Sequence, residues 1–322
     1  MRESMTAIEI SGLTKSFGTL KAVDNMNLSI DHEIFGLLGP NGSGKTTTVR
    51  MLTTILAPSS GDASVCGHSV LKEPRRVRDR ISYVPQDMAV DAKLTGRENV
   101  IFFAKLYGVR SPRDKADEAL ARMELGDRAD DLARTYSGGM RRRLELAQAL
   151  VHDPEVLFLD EPTIGLDVAG RKKIWEHIID LKNNGMTVFV TTHYMDEADY
   201  ACDRVGIIDH GVLVANDSPE ALKARCCNDI IAVRAEGEYP GMDIEGVRFI
   251  GQSGDELKFE AGCAGEMGFA LASALAEAGM KVRSFAVRQP TLDDVFLSLV
   301  AEQEESAAFD YQRFRTMLRR RA

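Results

Sequence analysis

Two stretches of this sequence carry residue types and spacings suited to phosphate chemistry. Gly39, Pro40, Asn41, Gly42, Ser43, Gly44, Lys45 and Thr46, followed by Thr47, fit the pattern GxxxxGK[ST]. Glycines there let successive backbone N–H groups curl around phosphate oxygens, and a helix starting at the loop's end adds positive potential at the same spot. Lys45 supplies a point charge for the outer phosphates, and Thr46 a hydroxyl for Mg²⁺. The second stretch, Val156-Leu-Phe-Leu-Asp160-Glu161-Pro162, is an apolar run that ends abruptly in two acids. Asp160 is suited to hold Mg²⁺, directly or through a water. Glu161 points the opposite way along the strand and can polarise an attacking water as general base, an effect of about 10²–10⁴ in rate.

Two further sites follow the same logic. His193 closes Thr191-Thr192-His193 after an apolar strand from Met186, and its imidazole can hydrogen-bond a γ-phosphate. Ser137, Gly138 and Gly139 open a helix through Arg143, Leu146 and Leu150, with Ser137 placed as N-cap. This is a second helix start able to take an anion. One phosphate loop with two such starts suggests that the second serves a neighbour's nucleotide.

These residues need a frame that brings strand ends together. From Ala7 to about Arg225, short β-branched runs alternate with helix-patterned stretches, the signature of a mainly parallel sheet covered by helices. Ile34 to Leu38 and Glu155 to Leu159 read as buried central strands, whose carboxyl ends are where open α/β sheets bind ligands. Between about residues 88 and 134 the strand signal disappears, and Arg97 to Tyr107 and Arg113 to Leu125 carry helical spacing. Asp167 can cap a helix whose Ile174, Trp175, Ile178 and Leu181 share one face, which assigns the lone tryptophan to the core. After a helix start at Ser218-Pro219-Glu220, strands are expected at 230–235, 247–251, 256–260 and 282–287, and helices at 266–278 and 291–300. These form a small α+β unit.

Composition narrows the function classes. The chain has 322 residues, 44% apolar and 28% charged, which suggests about two globular domains. Its most apolar runs fall far short of the roughly 20 residues a membrane-spanning helix needs, and residues 1–10 lack a signal peptide's pattern, so a cytoplasmic chain is expected. Cys66, Cys202, Cys226, Cys227 and Cys263 contain no CxxC pair and fit reduced thiols. A net charge of −9 argues against wholesale nucleic-acid binding. The end of the chain interleaves Arg313, Arg315, Arg319, Arg320 and Arg321 with Phe309, Phe314, Met317 and Leu318. It allows either an amphipathic helix on anionic lipid or an acidic partner, or a solvated terminus.

The ordered set GPNGSGKT, YVPQD, YSGGM, LFLDEP, GLD and TTH resembles the ATP-binding cassette (ABC) family over about residues 7–225. The resemblance implies an α/β phosphate-loop NTPase cassette over 1–225, with a helical subdomain at about 88–150 and an antiparallel β subdomain. A small α+β domain for regulation or dimerisation over 229–303 and a basic tail over 304–322 would follow it. Residues 39–47 look like the Walker A loop, Asp160 and Glu161 like the Walker B acids, and Ser137, Gly138 and Gly139 like the signature. Gln86 matches the Q-loop glutamine, which would join Thr46 and Asp160 at Mg²⁺ and act with Glu161 and His193, the switch histidine, in catalysis. Asp167 falls in the D-loop beside the nucleotide, and Phe17 at the aromatic that stacks on adenine, where Tyr is more usual. Tyr136, Met140 and Ile164 depart from the commoner Leu, Gln and Ser.

Ser137 to Ala147 and Gln289 to Leu297 look like ATPase subunits of drug, lipid or polysaccharide exporters of the daunorubicin-resistance type. Such a subunit binds and hydrolyses ATP with Mg²⁺, pairs with a second cassette, and docks on a separate transmembrane permease at the cytoplasmic face of the membrane. A soluble ABC ATPase acting as an assembly scaffold, or on nucleic acid, is the alternative. The coiled-coil or zinc insertions and doubled cassettes of such relatives are not found here. A phosphate-loop kinase would have no use for Ser137-Gly138-Gly139 or His193.

Overall fold

The computed structural model describes residues 6–87, 89–225, 229–242, 244–262 and 264–299. Its first strands are β1 (Ile8–Phe17), β2 (Leu20–Ile30), β3 (Ile34–Leu38), β4 (Ser60–Val65), β5 (His68–Ser69) and β6 (Ile81–Val84). Later come β7 (Val156–Asp160), β8 (Thr187–Thr192), β9 (Arg204–Asp209) and β10 (Val212–Asp217). The main helices among them are α1 (Lys45–Leu52), α2 (Pro74–Arg78), α3 (Gly96–Leu106), α4 (Pro112–Arg122), α5 (Gly138–Leu150), α6 (Val168–Asn183) and α7 (Met195–Ala201).

The central sheet runs in the order β10-β9-β3-β8-β7-β6, with β9 through β6 pairing in parallel. Every residue of β3, β7 and β8 is buried, as strands covered on both faces require. The alternation of strand and helix begins only at β3. Strands β1 and β2 before it, with β4 and β5 after it, form a separate antiparallel sheet, in which Met26, Leu28 and Ile30 alternate inward with exposed residues between them. Residue patterning from Ala7 onward did not distinguish that sheet from the parallel one. The two sheets share a core, in which Phe189 packs tilted against Phe35 at 5.4 Å and Phe158 at 5.6 Å.

Register aligns the strand ends. Leu37 and Asp160 both pair with Thr191, so β3, β7 and β8 finish at one edge. The residues after that edge are the phosphate loop, Glu161 and His193. Helices α3, α4 and α5 occupy the expected helical stretch. Thr95 and Glu98 close a reciprocal capping box at the start of α3. Asp167 caps α6 through Gly170 N–H at 2.7 Å, and Trp175 is buried in the core.

The chain divides into two compact units after Asn216. Helix α8 (Pro219–Arg225) therefore goes with the second unit, whereas the sequence reading placed it in the first. The second unit continues with β11 (Asp229–Glu236), β12 (Val247–Ser253), β13 (Glu256–Ala261), α9 (Ala264–Glu277) and β14 (Lys281–Arg288), and is helical again over 292–299. Its antiparallel sheet has the order β12-β13-β11-β14, around a core that includes Ile231, Val233, Phe259, Leu271 and Leu275. Among the described residues no helix is long and apolar enough to cross a membrane, and Cys66 and Cys202 are free thiols. Cys226, Cys227, Cys263 and the tail 304–322 lie outside the described residues.

Candidate nucleotide site

Helix α1 starts directly from the phosphate loop because Gly44, its N-cap, adopts φ 111°, a conformation that favours glycine. A Cβ on Gly44 would lie 2.3 Å from the Ala22 carbonyl oxygen, and one on Gly39 would lie 2.2 Å from that of Ile208. The loop is thus seated against β2 and β9 as closely as backbone allows. Inside it the Ser43 hydroxyl is buried without a hydrogen-bond partner, one unpaired polar atom in a loop suited to phosphate. The Lys45 ammonium folds back to donate to the carbonyls of Gly39 at 2.7 Å and Pro40 at 3.0 Å. Burial pulls its pKa below the ordinary lysine value, and the charges of Glu161 and Asp160 act against that shift.

Asp160 is buried and held from several sides. Its Oδ1 accepts from the Thr191 hydroxyl and, at 3.2 Å, from that of Thr46; its Oδ2 accepts from Tyr83 at 3.4 Å. Burial, and then the Asp160 charge, push the Tyr83 phenol up to about 12, so it remains a donor near neutral pH. Glu161 is 7% exposed and has φ 48°, a left-handed backbone in a residue other than glycine. Its N–H reaches the Thr191 carbonyl at 3.0 Å and the Thr191 hydroxyl at 3.1 Å. Its carboxylate lies between two positive or protonatable groups: Oε1 is 3.9 Å from Lys45 Nζ, and Oε2 is 3.0 Å from His193 Nδ1 without hydrogen-bond alignment.

Lys45, Thr46, Asp160, Glu161 and His193 therefore converge, as their spacing suggests. Ser137, Gly138, Gly139 and Asp167 gather elsewhere, around a cavity of about 370 Å³ that Arg143 and Lys173 also line. Ser137 Oγ accepts from Met140 N–H at 3.3 Å, so this helix start is capped as expected. Asp167 Oδ1 is occupied in capping α6. Tyr136 has a structural use: its buried hydroxyl donates to the Arg128 carbonyl at 2.6 Å. Phe17, at the end of β1, is half exposed with Lys15 Nζ 5.3 Å from its ring centre. Gln86, just beyond β6, is exposed as well. The acid cluster forms without either of them.

Four residues at the site escaped the sequence reading. Thr191 and Tyr83 hold Asp160, while on α5 Arg142 reaches the backbone around both acids and Glu145 pairs with Arg142 and takes the Ala89 N–H. An Arg and a Glu at i and i+3 on one helix were the available signal for that pair; Thr191 and Tyr83 show their role only through strand register.

A parallel sheet that delivers a glycine-bounded lysine loop and two acids to one edge defines a phosphate-loop nucleotide-binding protein. The sequence family described as ABC transporter matches residues 23–164, and that described as ATP-binding protein DrrA1-3-like, C-terminal domain, matches 218–300. The daunorubicin resistance ATP-binding protein DrrA3 of Streptomyces coeruleorubidus is 41% identical over 305 residues, covering 92% of this chain and 96% of that protein. Among solved structures, cbiO1 from Clostridium perfringens, part of the ABC transporter complex cbiONQ, aligns with a TM-score of 0.64 at 28% identity over 68% of this chain and 91% of its own. A dimeric ATP-binding cassette in a post-hydrolysis state, bound to ADP and Pi, aligns with a TM-score of 0.59 at 27% identity, covering 66% of this chain and 98% of that one. The chain belongs to the ABC transporter family, among its ATP-binding proteins of the daunorubicin-resistance type, and is an ATP hydrolase.

Proposed function

We propose that this chain is the ATP-hydrolysing subunit of an exporter that moves an amphipathic drug or lipid through a separate transmembrane permease, working at the cytoplasmic face of the membrane. Resistance to daunorubicin in the name of the relative above supports the export reading. The observation that carries the chemistry is the Glu161 carboxylate, set between Lys45 and His193 beside the Asp160–Thr46 pair.

In this reading Lys45 exchanges the carbonyls of Gly39 and Pro40 for phosphate oxygens of ATP. Glu161 accepts the proton of the attacking water, and His193 hydrogen-bonds the γ-phosphate. Phe17 stacks on the adenine. Thr46 and Asp160, both oxygen donors as a hard cation prefers, would hold Mg²⁺ with help from Gln86. When bound, the ion would offset phosphate charge.

The cavity beside Ser137, Gly138 and Gly139 holds two basic side chains, while the residues of the phosphate loop do not line it. That separation supports a second copy of the cassette, each copy's capped helix and Asp167 meeting the nucleotide seated in the other. The test is sedimentation of the Glu161→Gln chain. With ATP and Mg²⁺ it is expected to run as a dimer, and with ADP as a monomer. A sedimentation coefficient that ignores the nucleotide would contradict the shared site.

A further inference from the structure

Arg142 and Glu145 form a buried ion pair at 2.8 Å on α5, with side chains only 4% and 3% exposed. Charges so placed are retained only when their hydrogen-bonding capacity is filled, and the identity of the partners is informative here. Arg142 Nε donates to the Pro162 carbonyl at 2.8 Å, and Nη2 donates to those of Asp160 and Glu161 at 3.3 and 3.4 Å. Nη1 donates to the Pro85 carbonyl at 2.9 Å as well as to Glu145. Glu145 Oε1 accepts from Ala89 N–H at 2.7 Å. One pair thus grips three consecutive carbonyls of the acid turn and, from both sides, the segment that contains Gln86.

We infer that Arg142 and Glu145 are positioning residues for ATP hydrolysis, fixing the Glu161 turn and the Gln86 segment to the helix whose N-terminus is Ser137-Gly138-Gly139. The Glu161 backbone gives the pair its purpose. A non-glycine residue at φ 48° stays there only when its surroundings over-determine it. On one side Thr191 takes the Glu161 N–H; on the other, Arg142 takes the carbonyls from Asp160 to Pro162. A planar guanidinium can reach that many acceptors at fixed angles, whereas an ammonium cannot. Because α5 carries both the anion-binding helix start and this clamp, a displacement of α5 by nucleotide at its N-terminus would be felt at the Glu161 carboxylate. The inference rests on the reading of Glu161 as general base.

The experiment compares Arg142→Lys, Arg142→Met and Glu145→Gln with the unaltered chain and with Glu161→Gln, in the full-length protein. Each is measured for steady-state ATP hydrolysis, equilibrium ATP binding and thermal midpoint. Glu161→Gln tests the underlying reading alone: ATP binding with lost turnover upholds it, whatever the clamp variants do. Arg142→Lys keeps the charge opposite Glu145 and so keeps the fold, but it lacks the fork. It is expected to lower kcat about 10–100-fold, the usual range for groups that orient a reacting shell, with the ATP dissociation constant changed less than about threefold. Arg142→Met combined with Glu145→Gln is expected to lose no more kcat than Arg142→Met alone, since Glu145 reaches the Glu161 turn only through Arg142. Unchanged kcat in Arg142→Lys would overturn the inference. So would a loss shared equally between kcat and ATP binding, or a lowered thermal midpoint with normal kcat per folded molecule, because each marks a purely structural pair.

Discussion

At the residue scale, the site is built from local motifs completed by distant side chains. Lys45, Thr46, Asp160, Glu161 and His193 were legible because each stands at a fixed offset from a strand end, and strand ends in a parallel sheet meet at one edge. The Lys45 ammonium is already desolvated and balanced by two carboxylates. Lys45→Ala is therefore expected to weaken ATP binding about 10–100-fold, the worth of one charge-assisted hydrogen bond of about 1.5–3 kcal/mol. Nucleotide titration checks this, and an unchanged dissociation constant would remove Lys45 from the phosphate site. Thr191 was not legible as a site residue. Its hydroxyl donates to Asp160 and accepts from Glu161 N–H only because β7 and β8 pair in the observed register. Tyr83 and Arg142 are hidden for the same reason, since their partners lie 77 and about 20 residues away.

At the element scale, caps and periodicity were readable and sheet membership was not. The start of α6 at Asp167, the α8 start at Ser218 and the strands of the second unit all stand where turn chemistry and alternation put them. The antiparallel sheet of β1, β2, β4 and β5 was missed by patterning because alternation along one strand does not name the neighbour it pairs with. In the second unit, Asp294 explains the Pro290-Thr291-Leu292-Asp293-Asp294 stretch, which the sequence offered only as a family likeness. It is fully buried, receives Thr291 N–H at 2.9 Å and Arg288 Nη2 at 3.0 Å, and lies 3.1 Å from Lys258 Nζ. Burial alone would raise its pKa. The donors from Arg288, Thr291 and Lys258 outweigh burial and hold the carboxyl well below its ordinary range. Asp294→Asn leaves two partly buried cations short of a counter-charge and is expected to destabilise the second unit by about 1–3 kcal/mol. Urea unfolding followed through that unit would show it, and a loss under about 1 kcal/mol would mean the cluster is solvated after all.

At the scale of the whole molecule, the first unit, the cassette unit, holds the candidate nucleotide site, and the second unit has its own core. The cassette unit also carries a pH signature. Burial lowers the pKa of both His152 and His177 below the ordinary histidine value; His152 also stacks on Tyr107 with ring centres 3.8 Å apart. A group with a depressed folded pKa lends stability above its unfolded pKa, about 6.5, and loses it as pH falls through the folded value. Stability of the cassette unit is thus expected to fall below about pH 6.5. In His152→Phe, which keeps the stacked ring, the decline between pH 7.5 and 5 should be shallower. An identical slope in both chains would show that His152 titrates as freely folded as unfolded. The central claim, that Glu161 activates the water in an ATP site built by this chain, has a more direct test. ATP hydrolysis by the Glu161→Gln chain, measured alongside its equilibrium ATP binding, is expected to fall by about 10² or more with the dissociation constant within about threefold of the unaltered chain. Hydrolysis that proceeds at the unaltered rate would contradict the account.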